Sequence, residues 1–237
     1  MKLLSLETSA KAVSAAVAEE GRVLAYAYQN VGLTHSVTLM PMVDAMLRNA
    51  GMTPADMDCV AVACGPGSFT GLRIGVSAAK GLAWALEKPC CAVSTLEAMA
   101  YNALLHTGTV ICAMDARRSQ IYNAVFDCRD GVLTRRTPDR AIALSQLAEG
   151  LKNDEKPKII VGDGATLCYN YLSEQGIACR LAPPDRIMQS AAGVALAAEE
   201  MVRQGRTVSA QELTPVYLRL SQAERERLAK GLPITAE

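Results

Sequence analysis

CVAVACGPGSFTGLRIGVSAAKGLAWAL, residues Cys59 to Leu86, decides how the rest of the chain is read. Cys59 to Cys64 is an unbroken apolar run, the pattern of a strand buried on both faces. It stops at Gly65-Pro66-Gly67, where proline removes a backbone donor and glycine permits positive φ, so the chain must turn. Ser68 and Thr70 are placed to cap a small-residue helix expected from about Leu72 to Leu86. A glycine-rich strand-to-helix turn presents free N–H groups and a positive helix end, a common cradle for anions. Neither usual phosphate motif is present, however. The dinucleotide pattern G-x-G-x-x-G needs glycine where Thr70 stands, and the P-loop needs Lys-Ser/Thr where Leu72-Arg73 follows Gly71.

Upstream of this block the chain reads as a β-meander: strands Lys2–Glu7, Val13–Ala18 and Val23–Gln29, with turns at Thr8–Lys11 and Glu20-Gly21. Thr34 then caps a helix whose apolar positions Val37, Met40, Val43, Met46, Leu47 and Ala50 follow the helical period, ended by Gly51. Downstream come a short strand, Cys90 to Val93, and a helix from about Thr95 to Leu105. After His106-Thr107-Gly108 the pattern restarts: strands Thr109–Met114, Gln120–Phe126 and Val132–Thr134, then Lys158–Val161 running into Gly162-Asp163-Gly164 and a helix to about Glu174. A long helix covers about Ser190 to Arg203. Two halves that each open with a meander and continue in alternating strands and helices predict a duplicated α/β unit. The lobes expected are residues 1–106 and 107–237, with the last helix and tail free to pack back on the first.

The chain has 237 residues, with 24 Lys plus Arg balanced by 24 Asp plus Glu, so no global field attracts a polyanion. That argues against a stand-alone RNA or DNA binder, since phosphate neutralisation supplies most nonspecific affinity. Eight cysteines show no C-x-x-C pair, and with only His35 and His106 a structural zinc site is not expected. Most lie in apolar strand-like runs, as buried reduced thiols of a cytoplasmic protein do. The N-terminus MKLLSLETSA does not read as a signal peptide, and no uncharged apolar run is long enough to span a membrane.

Several blocks together resemble the TsaB (YeaZ) family: Leu4-Ser5-Leu6-Glu7-Thr8-Ser9, Thr34-His35-Ser36, Gly65-Pro66-Gly67-Ser68-Phe69-Thr70-Gly71-Leu72-Arg73-Ile74-Gly75, Asp115-Ala116-Arg117, and Pro215-Val216-Tyr217-Leu218-Arg219. The resemblance covers essentially the whole chain. It implies the actin/Hsp70/sugar-kinase (ASKHA) fold, in agreement with the duplicated meander. It also implies a part in placing threonylcarbamoyl on N6 of the adenosine 3′ of the anticodon in ANN-decoding tRNAs, with TsaD as catalytic paralogue and TsaE as ATPase. TsaD-like chains carry a metal-binding His-x-x-x-His where this sequence has Thr95 and Met99. Residues at i and i+4 share a helix face, but a hydroxyl and a thioether do not replace two imidazoles for a hard or borderline metal. The expectation is a noncatalytic, metal-free subunit that dimerises with TsaD, or with itself when alone, and meets tRNA only through the complex. It has no cofactor by itself, with ATP or ADP bound, if at all, in the assembly.

The α-helical positions Gly75, Ala79 and Ala83 recur at four-residue spacing, with Leu72 and Val76 alongside. Such a stripe suits either docking of another helix or close packing on the chain's own sheet. The broad apolar face of the preceding helix and the resemblance favour docking, so the expected interface is Val43, Met46, Leu47, Leu72, Val76, Ala79 and Ala83. Glu7, Asp115 and Asp163 sit at strand ends, where carboxylates commonly cap turns. The alternative is a vestigial nucleotide site formed by Glu7, Thr8, Ser9, Asp115, Gly162 and Asp163. His35 is expected to make a local hydrogen bond, and His106 has no evident partner. No catalytic residue emerges. Two other readings stand beside it: an ATP-dependent small-molecule kinase of the same fold, which would need phosphate-binding hairpins in both halves, and a metalloprotease, which two distant histidines do not support. The charged run Ser221 to Lys230 is expected to be a solvated helix or tail.

Overall fold

The structure, a computed structural model, describes residues 1–117, 119–220, 224 and 227. The charged run from Ser221 therefore lies almost wholly outside the described residues. Strands β1 (Lys2–Glu7), β2 (Val13–Glu19), β3 (Arg22–Gln29), β4 (Cys59–Gly65) and β5 (Cys90–Ser94) form the first sheet, in the order β3-β2-β1-β4-β5. The second sheet runs β11-β10-β6-β7-β8, from β6 (Gly108–Asp115), β7 (Gln120–Arg129), β8 (Val132–Arg135), β10 (Lys158–Val161) and β11 (Arg180–Leu181); β9 (Arg140–Ala143) pairs with β7. In each sheet an antiparallel meander continues through two parallel strands, β1–β4–β5 in one and β6–β10–β11 in the other. The duplication predicted from the restart after Gly108 is thus present strand for strand.

Strand β4 shows why its sequence is uniformly apolar. Val60, Val62 and Cys64 face a core shared with helices α1 (His35–Asn49) and α2 (Phe69–Leu86). Cys59, Ala61 and Ala63 face the opposite core, against α6 (Ala191–Arg203). A strand sandwiched between helical layers has no wet face, so the usual alternation disappears. The second sheet is covered on one side by α4 (Leu144–Leu151) and α5 (Ala165–Glu174) and on the other by α3 (Thr95–Ala100), which also packs on α6. The expected helix to Leu105 is shorter: α3 tightens to a 3-10 turn over Tyr101–Ala103.

Helix α6 lies on β1, β2, β4 and β5, and Ala210 and Leu213 are buried in the first lobe's core, so the chain after about residue 190 returns to the first lobe. Helix α2 begins at Phe69, earlier than expected, because Ser68 alone caps it: its hydroxyl accepts the Gly71 N–H at 3.3 Å. The strand β9 and helix α4 were not expected, since Thr137 to Leu151 carries only a short apolar pattern between polar turns. The cysteines match their reading: seven are buried and Cys179 is half-buried, all as free thiols, with the Cys59 and Cys91 sulfurs 3.8 Å apart on neighbouring strands. Among the described residues no helix is long and apolar enough to cross a membrane.

Candidate functional site

Four of the five motifs that carry the family resemblance contribute to one cleft between the lobes, and the fifth, Thr34-His35-Ser36, borders a separate groove. The walls of the cleft are Ser9, Ala10 and Lys11 after β1, Gly67 to Thr70 at the start of α2, Met114 to Arg117 after β6, Asp163 after β10, and Val216 to Leu220 near the end of the chain. The cavity is about 530 Å³. Lys11, Arg117 and Arg219 face it together with Asp115 and Asp163, so its lining is polar with both signs of charge.

The glycine turn is not an open anion cradle. Ser68 donates its N–H to the Ser9 carbonyl at 2.7 Å, and a Cβ on Gly67 would sit 2.6 Å from that same oxygen. One turn on, a Cβ on Gly71 would collide with the Thr8 carbonyl oxygen, and one on Gly75 with the Thr8 hydroxyl. That hydroxyl donates to the Gly71 carbonyl at 2.7 Å. The glycines therefore admit the chain's own β1–β2 turn, which occupies the space an anion would need.

Glu7 is fully buried beneath this turn. Its Oε1 accepts the Ser9 N–H at 2.5 Å, while among the described residues Oε2 has no hydrogen-bond partner. Burial pushes its carboxyl up to about 7; hydrogen bonds from Ser9 oppose the rise, and nearby Asp163 adds to it. Asp163 is itself raised by burial, against a 2.9 Å hydrogen bond from Gln189. Asp115 lies exposed in the cleft and accepts the Arg117 N–H at 2.7 Å. Of the six residues read as a vestigial nucleotide site, Asp115, Asp163 and Ser9 line the cleft, whereas Glu7, Thr8 and Gly162 lie behind its wall. A Cβ at Gly162 would strike the Ala113 carbonyl and the Met99 methyl. Among the described residues no three His, Cys, Asp or Glu side chains cluster as a metal site.

The interface expected on the first two helices requires correction. Val43, Met46, Leu47, Val76, Ala79 and Ala83 are buried in the first lobe's own core, and Leu72 is buried as well. Their small-residue stripe exists because α2 lies tightly against Thr8 and Val62, the close-packing alternative. Exposed apolar side chains remain elsewhere on these helices: Val37 is 65% exposed, Met40 41% and Trp84 71%. A groove of about 580 Å³ runs between the helices, lined by His35, Leu39, Met40, Phe69, Ile74 and Ala78, among others. Period alone does not say which stripe meets the sheet.

Thr95 and Met99 are buried, and Met99 packs against the Gly162 turn. His35 makes the expected local bond, its Nε2 2.8 Å from the Ala10 carbonyl. His106 is not partnerless: it is buried, with Nε2 3.0 Å from the Pro157 carbonyl and Nδ1 3.2 Å from the Arg180 guanidinium. The arginine must donate to Nδ1, which leaves the proton on Nε2 of a neutral ring. Sequence reasoning gave no role to Lys11, Phe69, Arg117, Tyr217 or Arg219, although four of them stand inside the motifs it singled out.

A family model described as "TsaD: tRNA N6-adenosine threonylcarbamoyltransferase" matches residues 29–227. The chain is 34% identical over 227 residues to the tRNA threonylcarbamoyladenosine biosynthesis protein TsaB of Bacillus subtilis, covering 94% of this chain and 96% of that one. It is 30% identical to the TsaB of Escherichia coli, covering 92% and 95%. The crystal structure of YeaZ from Pseudomonas aeruginosa superposes with a TM-score of 0.78 at 29% identity, over 92% of this chain and 99% of that one.

Proposed function

Because the chain belongs to the TsaB family, we propose that it is the noncatalytic subunit of a tRNA-modifying assembly, docking on a TsaD-type partner through the outer faces of α1 and α2. Its place in tRNA threonylcarbamoyladenosine biosynthesis follows from that membership. The observation that carries the docking reading is Met40, bared at a groove whose walls include Leu39, Phe69, Ile74 and Ala78, with Val37 also exposed on the same helix. Apolar side chains bordering a groove gain when a partner removes them from water. A related helix pair, from a TsaD-type chain or from a second copy of this one, fits such a surface.

The noncatalytic reading is supported by Thr95 and Met99. Both side chains are buried, and neither a hydroxyl nor a thioether substitutes for an imidazole toward a hard or borderline metal. Nucleotide, ATP or ADP, then belongs to the assembly and to an associated TsaE-type ATPase, and tRNA reaches this subunit only through the complex, as its balanced charge suggests. The protein works in the cytoplasm. The kinase alternative is not favoured: the first hairpin, where a kinase would hold phosphate, is sealed by Gly67 and Gly71 against Thr8-Ser9.

Mixing the purified chain with a TsaD-family protein should give a co-eluting complex in size-exclusion chromatography. Met40→Glu, which would bury a charge on docking, should weaken that complex at least about tenfold, roughly 1.4 kcal/mol. Separate elution of the unaltered proteins defeats the docking reading; an undiminished complex with Met40→Glu defeats the assigned face.

A further inference from the structure

The last described stretch of the chain does something that neither lobe needs for its own core. Leu213 is buried in the first lobe and fixes one end. Val216 donates its N–H to the Cys64 carbonyl at 2.7 Å, at the end of β4, and its own carbonyl fills the space where Gly65 lacks a Cβ. Gly65 has φ of 136°, so both its conformation and this contact demand glycine. Tyr217 then stacks on Phe69 in the first turn of α2, with ring centroids 4.2 Å apart and planes 19° from parallel. Arg73 lies over the same Phe69 ring, 4.4 Å from its centroid, and donates to the Tyr217 hydroxyl at 3.1 Å. Two residues later Arg219 crosses the cleft and donates to the Ala116 carbonyl at the end of β6. Val216 to Leu220 thus form a wall of the cleft and tie one lobe to the other.

We propose that residues 213–220 are a strap that holds the interlobe cleft closed, and that the Arg73–Phe69–Tyr217 stack is its latch. The strap has few anchors. Among the described residues, its anchors between Leu213 and the second lobe are one backbone hydrogen bond, the aromatic stack with the Arg73 hydrogen bond to Tyr217, and the Arg219 guanidinium contact. Segments with so few bonds open locally, at a free energy well below that of global unfolding. A stacked aromatic pair with a cation over one ring is the strongest of these anchors. Loss of the Tyr217 ring therefore frees the strap, and with it the bridge to Ala116, while β4 and α2 stay folded. Phe69 and Thr70 line the docking groove as well as the cleft, so release of the latch also loosens one end of that groove.

The test uses the full chain alone, so its outcome does not depend on the docking partner. In hydrogen–deuterium exchange, Tyr217→Ala should raise exchange across residues 214–220 at least tenfold, raise it more modestly at 69–73, and leave β1 and β4 protected. Small-angle scattering should show a larger radius of gyration. Tyr217→Phe keeps the stack and should restore protection. Arg219→Ala should enlarge the radius while Val216 stays protected, and it carries the test if Tyr217→Ala does not fold. Unchanged exchange at 214–220 in Tyr217→Ala overturns the proposal, as does exchange rising equally through β4. A radius of gyration unmoved in Arg219→Ala overturns the bridging role of the strap.

Discussion

The two lobes open on the same device and use it oppositely. Strand β1 ends in Glu7 and strand β6, its topological counterpart, in Asp115; each carboxylate accepts the N–H two residues on, from Ser9 at 2.5 Å and from Arg117 at 2.7 Å. Such a carboxylate-closed turn is available wherever an acid ends a strand. What differs is the helix beyond the neighbouring parallel strand. In the first lobe α2 presents Gly67, Gly71 and Gly75 and closes onto Thr8-Ser9, sealing Glu7 inside. In the second lobe the glycines stop at Gly164, and Asp115 remains open to the cleft. Glycines in a strand-to-helix turn are therefore not evidence of a ligand until the position of the neighbouring turn is known.

Refilling the sealed side should have the largest effect. A Cβ at Gly71 would overlap the Thr8 carbonyl oxygen, a backbone atom that cannot swing away. Gly71→Ala should lower stability by about 3 kcal/mol or more, by the overpacking mechanism. Gly81, on the same helix, has no described atom within 4 Å of its missing Cβ. Gly81→Ala should leave stability unchanged or raise it by up to about 1 kcal/mol, from helix propensity alone. Urea unfolding of the two variants separates close approach from composition. Equal midpoints would mean that the glycines of α2 do not serve to admit Thr8.

The buried acid supplies the next largest effect and carries a sign. The Glu7 carboxyl titrates at about 7 in the folded protein against an ordinary value of 4.5, so the folded state binds its proton more tightly than the unfolded state. Its contribution is favourable below pH 4.5 and is lost as pH rises through about 7. The loss is on the order of 3 kcal/mol, since each unit is worth about 1.4. Glu7→Gln should abolish that slope and be the more stable protein at pH 8. Taking the difference between wild type and variant cancels other groups, including His106, whose depressed value gives the opposite slope. Parallel stability curves for the two proteins between pH 4.5 and 8 would place Glu7 in a wetter setting.

How much of this was legible beforehand follows from the same contrast. Local chemistry was: the apolar run at Cys59 to Cys64, the breaks at glycine and proline, and the restart after Gly108 gave the strands, the duplication and the family. Contacts between distant segments were not. Val43 and Met40 are both apolar and both fit the helical period; only the position of the sheet makes Val43 core and leaves Met40 bare. The small-residue stripe Gly75–Ala79–Ala83 spelled close approach correctly but not to what, and Thr8 lies far away in sequence. Tyr217 stands within a motif, but only Phe69 stacked on its ring, 148 positions away, gives that ring a role.

The open turn offers the smallest effect and the sharpest control. Asp115 is exposed, and asparagine retains a side-chain oxygen able to accept the Arg117 N–H. Asp115→Asn should therefore change stability by no more than about 0.5 kcal/mol at any pH between 4.5 and 8, as substitutions at exposed positions do. Against Glu7→Gln this is a matched pair: the same loss of charge, in the same turn, at equivalent strand ends, differing only in whether a glycine-faced helix covers it. If Asp115→Asn proves as consequential as Glu7→Gln, then the turn itself carries the energy and burial does not. If the two separate as stated, the asymmetry between the lobes resides in α2, and the second lobe keeps its strand-end carboxylate available to whatever enters the cleft.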